Sequence, residues 1–145
     1  MFTPSREQAR DFFFETWRKY RAGQPLAGLE GLALDVVLLH PEYHGLLGAP
    51  ERFGDRDYTD ESNPFLHLSL HLALEEQLSI DQPPGIVRLF DRLLAQRQGR
   101  HDALHGAIEC LAETVWRAQR DGAPPDAEAY LRCLASAGSG ASRAG

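Results

Sequence analysis

Apolar residues recur along most of this chain at helical spacing, and no strand signal survives a reading of the whole. Thr3-Pro4 supplies a cap followed by proline, after which Ala9, Phe12, Phe13, Trp17 and Tyr20 share one face. That pattern predicts a first helix from about Pro4 to Arg21, ended by Gly23 and Pro25. Leu29, Leu32, Val36 and Leu39 predict a second, from about Leu26 to Leu39. Pro41 pushes His40 out of the α region, which predicts a short turn over 41–47 with His40 at its cap. Asn63-Pro64 repeats the cap-then-proline signature and opens a helix to about Leu78. Its leucines, Leu66, Leu68, Leu70, Leu72 and Leu74, point in several directions, the mark of a buried central rod. A fourth helix carries Ile86, Leu89, Phe90, Leu93 and Leu94 and stops near Gly99. A fifth, over about Arg100 to Arg120, has Leu104, Ile108, Leu111 and Val115 as its ridge. Pro124-Pro125-Asp126 opens a short last helix to about Leu134.

The expectation is an all-α fold, a compact helical bundle of about five to six helices forming a single domain over 1–134. The Ser/Gly/Ala-rich tail, 135–145, is expected to be disordered. The polar stretch from Gly48 to Ser62, with Arg52, Arg56 and Tyr58, is the one long connection; it reads either as a lid over a small ligand or as a solvated loop.

Composition removes several function classes. With 145 residues, 43% of them hydrophobic, the chain can bury a core without a disulfide framework. Fifteen scattered Lys and Arg against 21 Asp and Glu leave a net charge of -6, which disfavours nucleic acid or an anionic membrane surface as partner. The N-terminus lacks a basic stretch leading into an apolar one, and Cys110 and Cys133 lack metal or redox spacing. A cytoplasmic setting follows as the expectation, with each thiol a small buried hydrophobe. There is no Gly-rich phosphate cradle and no G-x-S-x-G elbow. The residues leave a protein partner, a small-molecule ligand and a homo-oligomer equally open.

The chemistry is concentrated in six histidines that form three H-x3-H pairs: His40 and His44, His67 and His71, His101 and His105. Of the 15 pairs that six residues make, random placement would put about 0.2 four apart, and three are observed. Residues four apart on a helix hold their Cβ atoms about 6 Å apart on one face, close enough for two imidazoles to share an ion. Two pairs continue identically, to Glu75 and to Glu109, one turn further on. Those carboxylates lie about 12 Å along the axis from the first histidine of each triplet, so they either bind a second ion or orient the nearer histidine. The HPEYH segment adds His44, with His40 or Glu42 as further candidates.

The metal reading therefore assigns His67, His71, His101, His105, His44, His40, Glu75 and Glu109 to a mono- or dinuclear site for Fe, Mn or Zn, of unstated reaction. The alternative is a non-catalytic interaction or adaptor domain whose His/Glu seam is a structural hydrogen-bond network.

The motifs HPEYH, NPFLHLSLHLALEEQ and DQPPGI resemble the signature of a bacterial family, domain of unknown function 1841, over about residues 1–134. The resemblance implies a bacterial cytosolic setting and carries no activity. A looser likeness links the histidine spacing to helical metal proteins such as the hemerythrin-like and DinB-like bundles, although the ferritin-type E-x2-H is missing. His101-Asp102 also spells the dipeptide of helical phosphohydrolases, where Asp102 reads more simply as a first-turn acid on a helix dipole.

Overall fold

The structure, a computed structural model, describes residues 6–50 and 63–139. The elements bounded within them are α1 (Arg6–Arg21), α2 (Leu29–Leu38), a 3₁₀ turn (Pro41–Tyr43), α3 (His44–Leu47), α4 (Pro64–Ile80), α5 (Ile86–Ala95), α6 (Arg100–Asp121) and α7 (Ala127–Ala137). The all-α expectation holds, with seven α-helices bounded among the described residues rather than five to six, as the turn after Pro41 winds into α3. Thr3-Pro4 and the proposed lid residues Arg52, Arg56 and Tyr58 lie outside the described residues. The last helix runs to Ala137, three residues beyond the expected limit, and 140–145 also lie outside. No described helix is long and apolar enough to cross a membrane.

The fold divides into two compact units, Met1–Ala73 and Leu74–Gly145, with the division falling within α4. In the first unit α1 packs on α2, and the core gathers Phe13, Trp17, Val36, Val37, Leu47 and Leu68. The α1 stripe buries Ala9, Phe13 and Trp17 as its spacing expects, whereas Tyr20, in the last turn, is 43% exposed. On α2 the inward face is Ala33, Val36 and Val37 rather than the ridge ending in Leu39, which lies past the helix end at Leu38 and is 39% exposed. Lys19 Nζ ties α1 to the start of α2 through both Glu30 oxygens, at 2.9 and 3.1 Å. That bond, together with the Ala27 N–H donated to Glu30, holds the carboxyl below its ordinary pKa.

The start of α4 is built as its sequence signals. Asn63 Oδ1 accepts from the N–H groups of Phe65 at 2.9 Å and Leu66 at 3.2 Å, satisfying two donors that no helical carbonyl can reach. Pro64 occupies the first helical position, where its missing N–H costs nothing.

In the second unit α5, α6 and α7 pack against one another around Leu93, Leu104, Ile108, Tyr130 and Leu134. Tyr130 Oη donates to Gln77 Oε1 at 2.7 Å in the interior, and burial raises the phenol pKa well above its ordinary value. At the end of α6, Gly122 takes φ 61°, the left-handed conformation that lets Ala123 N–H return to Ala118 O at 3.0 Å. Asp126 caps α7 by accepting from Ala129 N–H at 3.1 Å.

The reading of Cys110 and Cys133 as separate reduced thiols is corrected. They form a disulfide between α6 and α7 with Cα atoms 5.7 Å apart. Their separation of 23 residues carries no motif, since packing of two helices and not spacing sets the partner. The step from cysteine spacing to a reducing compartment loses its support accordingly.

Candidate metal centre

Three histidines of the first unit, His40, His67 and His71, present ring nitrogens that all lie within 4.8 Å of one another. His67 and His71 stand one turn apart on α4, with ring centroids 4.7 Å apart and planes at 75°, as the H-x3-H spacing requires. His40 arrives from the break after α2, where Pro41 prevents the helix from continuing. Its ring meets His71 at 4.5 Å and His67 at 5.0 Å, edge to face in both cases. His40 and His71 are 1% and 0% exposed, and His67 is half-buried.

The protonation state of His40 follows from its neighbour. Its Nδ1 sits 2.8 Å from the Val36 carbonyl oxygen, which can only accept, so Nδ1 carries the proton. In the neutral ring the lone pair is then on Nε2, facing His67 Nε2 at 3.2 Å. Without an ion, the His67 N–H donates across that gap. With one, both lone pairs turn to it: donors about 2.0–2.1 Å from a tetrahedral ion stand about 3.3–3.4 Å apart, close to the separation already present.

The HPEYH segment contributes in a different order from the one expected. His44 Nε2 donates to the Val37 carbonyl at 2.8 Å, and its ring lies on Trp17 at 4.4 Å, so it serves the fold at the end of α2 while His40 joins the group. Glu42 is exposed. Tyr43, which the sequence reading passed over, stacks on His40 at 5.7 Å with planes at 11° and meets His67 edge-on at 6.4 Å. Its half-burial, with the Glu42 carboxylate adding to the effect, raises the phenol pKa, so the ring stays neutral at ordinary pH. Its position three residues after His40, one turn of a 3₁₀ helix, is the signal that would have found it.

In the second unit His101 and His105 meet on α6 with Nε2 atoms 3.0 Å apart and rings at 89°. Glu75 is held by a two-pronged pair to Arg100, with both N···O distances 2.8 Å, so its carboxylate already has a cationic partner. Glu109 faces solvent. The expected roles of these two carboxylates, as ligands or as orienting groups, gain no geometric support.

An all-α chain that gathers imidazoles in a largely buried group is the class these observations define. Residues 5–136 match the family described as Domain of unknown function (DUF1841), and the chain belongs to it. No curated protein and no solved structure matches.

Proposed function

We propose that this protein binds one transition-metal ion through His40, His67 and His71. The observation that carries the reading is the pairing of Val36 O with His40 Nδ1, which leaves the His40 Nε2 lone pair aimed into a buried group of imidazoles. A nitrogen donor set suits Zn or Fe better than Mn, which favours oxygen ligands. A single ion is preferred to a dinuclear centre because Glu75 is engaged by Arg100 and Glu109 is exposed. A position left open on such an ion would polarise a bound oxygen.

Elemental analysis of protein purified without chelator tests the proposal. About one equivalent of metal is expected, lost in His71→Ala and in His40→Ala, with helical content retained as read by circular dichroism. Metal-free protein that takes up no Zn(II) or Fe(II) on titration refutes it and returns the adaptor reading.

A further inference from the structure

We propose that Cys133 is a site of reversible mixed-disulfide formation with a small thiol, its link to Cys110 opening while α7 stays packed on α5 and α6. The proposal concerns the second unit alone and does not depend on the metal reading.

The two sulfurs of the bridge have unequal surroundings. Cys110 is 3% exposed, and Gly106, Ala107 and Thr114, each about one turn from it on α6, are buried with it. Cys133 is half-buried, and Ala129 and Ser136, about one turn to either side of it on α7, are exposed. Cys133 thus stands at the edge of the packed face, with Cys110 behind it. Thiol–disulfide exchange is an in-line displacement, so access to the two sulfurs selects which one is attacked. Solvent borders the Cys133 side, whereas a thiol bound for Cys110 must push aside packed residues of α6.

In the exchange a small thiolate bonds to Cys133 Sγ, the bond between Cys133 and Cys110 breaks, and its electron pair leaves on Cys110 Sγ, which takes a proton from water. The reverse step restores the bridge, Cys110 attacking Cys133 and expelling the small thiol. Contacts that do not pass through sulfur hold α7 in place meanwhile. Tyr130 Oη donates to Gln77 Oε1 at 2.7 Å, Leu134 is 0% exposed, and Asp126 caps the helix.

The test exposes the full chain, bridged and folded, to 2-mercaptoethanol for short times, followed by acid quench, alkylation with N-ethylmaleimide and peptide mapping by mass spectrometry. Adduct on Cys133 with alkylated Cys110 is expected in excess of about tenfold over the reverse arrangement. The reverse arrangement, equal amounts of the two, or two alkylated thiols with no mixed disulfide at any time point overturns the proposal. In the adduct the amides of α7 should keep their protection against deuterium exchange, and its loss overturns the packed state of α7. A second arm treats Cys110→Ala and Cys133→Ala with an aromatic disulfide. The thiol left in the first should react about tenfold or more faster than that left in the second. Equal rates in variants that circular dichroism shows to be folded overturn the assignment, and the mapping of the wild-type chain decides if either variant is unfolded.

Discussion

Breaking the disulfide gives a magnitude that follows directly from the chain. Cys110 and Cys133 are separated by 23 residues, and closing a loop of that length removes about 11 cal/mol/K of chain entropy from the unfolded state. At 25 °C this amounts to about 3 kcal/mol. For a unit of roughly 70 residues each kcal/mol shifts the midpoint by about 4–8 °C, so reduction should lower the melting temperature of the second unit by about 12–24 °C. Thermal melts by circular dichroism, with and without a phosphine reductant, read the effect. The Cys110→Ala/Cys133→Ala variant should lose at least as much, because it also empties the buried Cys110 position. Two titratable thiols in unreduced, denatured protein would refute the pairing, and identical melts with and without reductant would refute the entropy reasoning.

Other expectations are equally direct. Asn63→Ala should cost about 1 kcal/mol in urea unfolding and also weaken metal binding, since His67 and His71 ride on the helix that Asn63 caps; Asn63→Asp should restore both. Tyr130→Phe leaves the Gln77 oxygen buried without its donor and should cost about 1–3 kcal/mol by the same assay. Because the folded-state pKa of Tyr130 is raised above the ordinary 10.0, stability should be complete below pH 10 and decline as pH rises beyond it, and Tyr130→Phe should flatten that decline. Glu75→Gln and Glu109→Gln should retain wild-type metal content by elemental analysis, whereas loss in either would restore the carboxylate to the shell.

Much of the architecture was legible because helices announce their ends locally. Asn63-Pro64 and Asp126 cap where the sequence places them, and the periods of α1, α5 and α6 name many of the buried residues. Residues His67 and His71 were legible for the same reason, as spacing on one helix fixes a shared face. The choice between His40 and His44 was not. It depends on which ring the chain turns inward after Pro41, and thus on where Trp17 stands to receive the other. Glu75 and Glu109 repeat in sequence yet meet different surroundings, one an arginine and the other water. The disulfide was hidden for a related reason, because partners supplied by tertiary packing leave no periodic trace.

The two carbonyls at the end of α2, Val36 and Val37, each receive an imidazole N–H, one from His40 and one from His44. Each carbonyl also accepts a backbone N–H, Val36 from Leu39 at 3.1 Å and Val37 from His40 at 3.0 Å, so the rings occupy the second lone pair of each and close the helix end as a lid. A cation on the far nitrogen of His40 would withdraw electrons through the ring and sharpen the N–H that Val36 accepts. Loading and the tightening of this helix terminus are then one thermodynamic event, and the amides of its last turn should exchange more slowly with deuterium whenever the ion is seated.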